Sequence, residues 1–375
     1  MNLKERNIYL LLGLFFLTNL ILYKIFGIVS TNEAEKYIGQ ANLLLNGQFP
    51  SSPKYYYYLP IIFLISLSQI LSLGYGFVVF IQCVFAACGI VLYYAGTKKV
   101  FSDKVALLSS ALLCLFLPFF SWNFYLYSES LFITLSLILY YLVCKFEDQQ
   151  KKMLFLIFGV FTLMVFSRPF GVLFIFPLFT YFLFSRYKSK GTKFLAFTIS
   201  LVFLGMTLVF INKIFQGGED MDAMKPFKEE HIICFVPQNP KGAELNLKYY
   251  DNGIRDIAYY IIHNPRHFIN LMFRRLFSFF SLTRSWYSKE HNLALQLFII
   301  PIYLFFITGV VTWYKRNKNA FYYFIGLVIF YPLAVTFQCD DWNGRFTMLV
   351  LPPIFALAAS GIYTLLRKIR PFKKI

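Results

Sequence analysis

Residues 57–73 read "YYLPIIFLISLSQILSL", and their placement sets the orientation of everything that follows. The run is apolar but falls short of the roughly 20 residues a helix needs to cross a bilayer. Counted as a crossing, it would put Lys98, Lys99 and Lys104 on the outer side and invert every later loop. Laid along the interface, or re-entrant and sheltered by protein, it keeps those lysines inside. The preceding tyrosines, Tyr55 to Tyr58, suit the headgroup level, where polar-edged rings collect.

Outward from this stretch the chain is strongly apolar. It has 375 residues, 58% of them hydrophobic and 14% charged, against about 25% charged in soluble domains. The pattern predicts an all-α polytopic membrane protein with about 10 transmembrane helices, forming one integral membrane domain over residues 1–375. The candidate spans are 8–29, 76–97, 105–121, 127–145, 153–167, 170–185, 193–214, 295–314, 320–337 and 345–366. The first follows a short head with Lys4 and Arg6 and lacks a small-residue cleavage motif, so it reads as a retained helix.

With the N-terminus in the cytoplasm, every short inner loop is basic. These loops carry Lys98, Lys99 and Lys104; Lys145, Lys151 and Lys152; Arg186, Lys188, Lys190 and Lys193; and Lys315, Arg316 and Lys318. The C-terminal end adds Arg367, Lys368, Arg370, Lys373 and Lys374. Of the 18 acidic residues only Glu5, Asp103, Glu147 and Asp148 join them. This is the positive-inside pattern. It accounts for the net charge of +18 without a nucleic-acid partner.

Two outside segments are large. The first, 30–75, is expected to hold two membrane-parallel helices, and the second, 216–294, a basic interfacial helix in "NPRHFINLMFRRLFSFFSL". Asn264 is its N-cap and Pro265 its first residue. Phe268, Leu271, Met272, Leu276, Phe279 and Phe280 form an apolar face, with Arg266, Arg274 and Arg275 elsewhere. Such a helix suits an anionic lipid surface or simply packs on the bundle.

The acids outside suggest chemistry. On a helix through "STNEAEKYIGQANLLLNGQF" (30–49), Glu33, Tyr37 and Gln40 share a face, and Ile38, Ala41 and Leu45 form an apolar stripe. Glu33 and Glu35 are candidate bases, or they close capping boxes with Ser30 and Asn32. Glu129 opens the apolar run 127–145, where a carboxylate is costly unless functional or paired; Ser128 or Ser130 offers the bland alternative. Arg168, before Pro169, is a candidate phosphate clamp or an interfacial anchor. Asp340 and Asp341, beside Arg345, either hold the shape of a pocket or ligate a divalent cation. No cofactor motif is present, and His263 and His267 lack the acid of a metalloprotease helix. Cys234 and Cys339 both fall outside, where they could pair.

These motifs resemble the GT-C superfamily of membrane glycosyltransferases, closest to glycosyltransferase family 39, the protein O-mannosyltransferase and aminoarabinose-transferase type. The resemblance rests on Glu33, Tyr37 and Ala41, the stretch "NGQFPSSPKYYYYLP", Glu129 opening a helix, and Arg168–Pro169. It implies a hexosyltransferase working with inversion on a polyprenyl-phosphate-linked sugar and an extracytoplasmic acceptor: a glycolipid, a glycan or a protein. It further implies that Glu33 deprotonates the acceptor, Glu129 orients the acceptor or sugar, and Arg168 and Arg345, with Lys54, hold the departing phosphate; Tyr37 sits with them. One departure is Asn32–Glu33, where the family often has aspartate followed by glutamate. It leaves Glu33 and Glu35 both open as the base. A flippase of lipid-linked sugars and a catalytically silent scaffold are the rival readings, though no repeated halves support the flippase. The absence of any Asn-x-Ser/Thr site leans toward a bacterial inner membrane.

Overall fold

The computed structural model describes residues 3–146, 151–185, 224–250, 253–315 and 319–369, together with 191, 194, 198 and 205. Among the described residues the chain is helical, with isolated bridges in place of strands. The first half contains α1 (Leu3–Phe26), α2 (Glu33–Leu45), α3 (Leu59–Ile70), α4 (Gly74–Val100), α5 (Asp103–Leu115), α6 (Leu117–Ser121), α7 (Glu129–Lys145), α8 (Lys151–Ser167) and α9 (Ile175–Ser185). Later come α10 (Gly253–His263), α11 (Pro265–Ser281), α12 (Lys289–Tyr314), α13 (Asn319–Thr336) and α14 (Leu351–Ile369). The expected span 193–214 lies outside the described residues apart from 194, 198 and 205.

Among the described residues four helices, Glu5–Phe26, Gly74–Val100, Lys289–Tyr314 and Asn319–Thr336, are long and apolar enough to cross a membrane. The chain is an integral membrane protein. Several expected boundaries move. The first helix stops at Phe26, where Gly27 turns the chain at φ 60°. The span expected over 170–185 begins as a 3-10 turn, Pro169–Phe174. The last helix starts at Leu351, so Arg345 lies in the loop before it.

The expected continuous helix 105–121 is broken, and α5 and the segment Leu117–Phe124 meet at 67°. Pro118 has no N–H, and its ring would strike the carbonyl four residues back. The helix therefore ends at Leu115, and Phe116 leaves helical geometry at φ −80°, ψ 86°. The carbonyl freed at Cys114 accepts the Thr18 hydroxyl at 3.1 Å, as a group shielded from water requires.

The described chain divides into two compact units: Met1–Phe174 with Ile302–Phe324 and Leu351–Ile375, and Ile175–Pro301 with Ile325–Val350. In the first, α7 is buried along nearly its whole length and packs on α4. The approach is close at Gly96, where a Cβ would lie 3.0 Å from the Tyr141 Cα; small residues allow such contacts between membrane helices. The segment between α1 and α4 carries α2, a 3-10 turn (Pro53–Tyr58) and α3.

The second unit has a core of Met224, Phe227, Tyr260, Phe268 and Leu271. The expected polar placement of Arg275 on α11 is corrected here: Arg275 is fully buried. Its guanidinium donates to the carbonyls of His231 (2.8 Å), Pro226 (2.9 Å) and Thr336 (3.2 Å). Burial pushes its pKa down to about 9. It is a strut, since backbone carbonyls offset what burying the charge costs. Asn264 does stand at the N-cap of α11, but its side chain bonds Asn246 rather than the helix.

Candidate active site

The first unit brings together candidates that are far apart in sequence. Between α1 and α2, Val29 pairs with the segment leading into α7: its N–H donates to the Phe124 carbonyl (2.8 Å), and its carbonyl accepts from Leu126 (3.0 Å). Gln82 of α4 backs this clamp, donating to the Tyr125 carbonyl at 3.1 Å. The Tyr127 hydroxyl donates to the Thr31 carbonyl at 3.3 Å. A buried chain from Ser130 to Asn123 (2.7 Å) and from Asn123 to Asn19 (2.9 Å) fixes the same corner. The starts of α2 and α7, and hence Glu33 and Glu129, are thereby held in one neighbourhood.

On α2 the buried face is Ala34, Tyr37, Gln40 and Ala41. The stripe expected at Ile38, Ala41 and Leu45 is rotated, with Leu45 exposed. The reason is polar: Gln40 exchanges two bonds with Ser51, at 2.8 and 2.9 Å, and Tyr37 packs on Tyr58 with ring centroids 5.1 Å apart. The Asn32–Glu35 capping box does not form; Asn32 is the N-cap but makes no side-chain cap bond. Instead the Tyr37 hydroxyl donates to Glu33 Oε1 at 2.6 Å. Glu35 is exposed.

Arg168 forms an ion pair with Glu129, both nearly inaccessible at 4% and 2% exposure. This replaces two bland readings, a serine-capped Glu129 and an anchoring Arg168. Ser130 serves Asn123, and the partner of Glu129 comes from the end of α8. The Tyr37 hydroxyl registers the whole group. Burial raises its pKa, with Glu33, Tyr58 and Glu129 adding to the effect and Arg168 opposing it. Tyr37 therefore stays protonated and keeps donating to Glu33.

Pro169 ends α8, and the 3-10 turn after it folds back so tightly that a Cβ on Gly171 would collide with the Met164 carbonyl. That turn aims Arg168. Gly171→Val is expected to displace it: activity falls at least about tenfold, and the melting temperature drops by several degrees, the usual result of overpacking by about 1–3 kcal/mol. Activity and thermal melting of the purified protein check this.

The other candidates lie in the second unit. Asp341 pairs with Arg345 at 2.9 Å, and its other oxygen accepts the Asn343 N–H at 3.2 Å. Asp340 pairs instead with Arg284 at 2.7 Å, both buried, and also accepts the Asp341 N–H at 2.8 Å. Arg284 was not anticipated. It further donates to the carbonyls of Asp341 (2.9 Å) and Trp342 (3.0 Å), so it braces the whole loop. Among the described residues no group of three or more His, Cys, Asp or Glu side chains is placed to hold a metal ion. Lys54 is exposed and stands 5.3 Å over the Tyr55 ring.

The same loop is stapled. Cys234 and Cys339, which spacing alone left open, form a disulfide with Cα atoms 5.0 Å apart. Ladder bonds flank it, from Asp340 N to Ile232 O and from Cys234 N to Asp340 O, both 2.8 Å. The bridge closes a separation of 105 residues. Cys339→Ser is expected to cost about 2–5 kcal/mol, read as a lower melting temperature with reductant no longer having an effect.

Burial raises the Asp340 pKa to about 6, although Arg284 opposes the shift. A carboxyl whose pKa is higher folded than unfolded binds more protons in the native state between the two values. Its contribution to stability is full below the ordinary aspartate range and is lost as pH rises through about 6. In Asp340→Asn that slope is expected to flatten between pH 4 and 6. Its melting temperature should fall at neutral pH, because Arg284 is left buried without its counter-charge.

The helical architecture is similar to that of an oligosaccharyltransferase from Archaeoglobus fulgidus. In a crystal structure tethered with an acceptor peptide, the match covers 97% of this chain and 50% of that one, at 14% identity and a TM-score of 0.51. For the archaeal oligosaccharyltransferase AglB in complex with an inhibitory peptide and a dolichol-phosphate, it covers 99% and 52%, at 13% identity and a TM-score of 0.52. The fold is similar to that of these oligosaccharyltransferases. At these identities the likeness is one of fold, and the chain spans about half the length of these oligosaccharyltransferases. Residues 56–211 match the family model of dolichyl-phosphate-mannose-protein mannosyltransferase, which takes in Glu129 and Arg168. No curated protein matches the chain.

Proposed function

We propose that this GT-C protein is a glycosyltransferase that moves a sugar from a polyprenyl-phosphate donor to an extracytoplasmic acceptor with inversion. The observation that carries the reading is that one unit holds the Tyr37–Glu33 hydrogen bond and the buried Glu129–Arg168 ion pair near enough for all three charges to act on Tyr37. The family-model match supports the sugar chemistry, and the dolichol-phosphate in AglB supports a lipid phosphate as leaving group.

Glu33 takes the proton of the acceptor hydroxyl as its oxygen attacks the anomeric carbon. The bond from that carbon to the phosphate oxygen breaks, and the electron pair leaves with the polyprenyl phosphate. Arg168 stabilises the negative charge that gathers there, and Glu129 fixes the guanidinium as a positioning residue. Half-buried Glu33, bonded by Tyr37, suits the base better than exposed Glu35. Lys54, in the same unit, is a further contact for the phosphate, whereas Arg345 belongs to the second unit, where it pairs with Asp341. Asp340 and Asp341 act as struts, their oxygens engaged by Arg284, Arg345 and backbone N–H groups. The positive-inside loops support an active site on the outer side of the membrane, and the absence of an Asn-x-Ser/Thr site favours a bacterial inner membrane.

The test is release of polyprenyl phosphate from a panel of polyprenyl-phosphate sugars, with and without an envelope extract as acceptor, by the purified protein in nanodiscs. Acceptor-dependent release supports transfer. Movement of intact donor across the bilayer without release would favour a flippase.

A further inference from the structure

The outward face of α11 carries two adjoining hollows, both within the second unit. One, of about 300 Å³, is lined by Leu271 and by the polar side chains of Glu230, Arg266, His267, Asn270 and Arg274. The other, of about 600 Å³, is mostly apolar and lined by Phe273, Phe277, Ile232 and Ser278, again with Arg274. The lining positions 266, 270, 274 and 278 recur every four residues, so they run along one face of the helix. Because both hollows include Arg274, we read them as one groove of about 20 Å at 1.5 Å per residue, with Arg274 between the charged side chains of one hollow and the phenylalanines of the other.

We propose that this groove binds an anionic phospholipid of the bilayer, with its phosphate at Arg274, its headgroup toward Arg266 and Asn270, and a chain along Phe273 and Phe277. Charge and exposure commit the site to that occupant. Two guanidiniums face a single carboxylate, Glu230, which holds Arg274 at 2.5 Å. His267 lies 3.7 Å from the same carboxylate, its other ring nitrogen 2.6 Å from the Tyr260 hydroxyl, so the ring is oriented toward the pocket. Phe273 and Phe277 are 67% and 76% exposed, an arrangement that costs free energy in water and is favourable against hydrocarbon. An open groove of this kind exchanges with the surrounding bilayer. The assignment is independent of the proposed transferase activity.

The test is native mass spectrometry of the full chain in detergent with phosphatidylglycerol or phosphatidylcholine added. Phosphatidylglycerol should be retained about tenfold better, because its net negative charge is uncompensated whereas the choline cation of phosphatidylcholine would be repelled by Arg266 and Arg274. Arg274→Gln should erase the preference, and Phe277→Ser should weaken retention of both lipids. Equal retention of the two by the wild type, or a preference that survives Arg274→Gln, would overturn the site. Displacement of phosphatidylglycerol by millimolar inorganic phosphate would reduce it to a free-anion site. Displacement by equimolar polyprenyl phosphate would assign the groove to the donor instead. Either displacement would refute the phospholipid assignment, and neither needs a variant that folds.

Discussion

Glu33→Gln is expected to lower acceptor-dependent release of polyprenyl phosphate by about 100- to 10,000-fold, the range that loss of a general base covers. The amide keeps the shape of the side chain and still accepts the Tyr37 hydroxyl, so the melting temperature should stay near that of the wild type. What it cannot do is take a proton. Glu35→Gln, on the exposed side of α2, should leave the rate close to wild type. Full activity in Glu33→Gln would remove Glu33 from the mechanism, and loss in Glu35→Gln instead would transfer the role. Tyr37→Phe should fall between wild type and Glu33→Gln, because it removes the bond that orients the carboxylate while leaving the base.

Arg168→Met should act on stability and on rate together. It leaves Glu129 buried without its counter-charge, and breaking a buried pair from one side costs about 3–5 kcal/mol. The double variant Glu129→Gln/Arg168→Met removes both charges and should recover most of the melting temperature, since an apolar replacement of a buried pair is often neutral or stabilising. Transfer should remain abolished in both. Recovered stability with absent activity would separate the role of Arg168 at the phosphate from its role in the fold. A double variant that melts as low as the single one would show that the loss comes from packing and not from the unpaired carboxylate.

Hydropathy made the fold class legible, because a run such as Gly74–Val100 announces itself by length and composition alone. The break at Phe116 was missed although Pro118 stood in view, since apolar composition continues smoothly through the kink. In the site, the residue types were readable and their partners were not. Nothing local to Arg168 points to Glu129, and nothing in "SLTRSW" marks Arg284 as the partner of Asp340. Arg275 misled for a related reason: helical periodicity assigns an arginine to the polar face, whereas backbone carbonyls from two other segments made a buried place for it. Long-range polar pairing leaves no periodic trace, so it is the level at which sequence reading stops.

The buried ion pair also bears on the order in which the chain is made. Glu129 enters ahead of Arg168 by about forty residues, a few seconds of synthesis at roughly 5–20 residues per second. Until then a carboxylate waits at the mouth of an apolar helix with no cation to answer it. Glu33 and Tyr37 are already present, and all four side chains lie before Ile175. The charge centre can thus close before the second unit has been synthesised, and later segments can vary without rebuilding it.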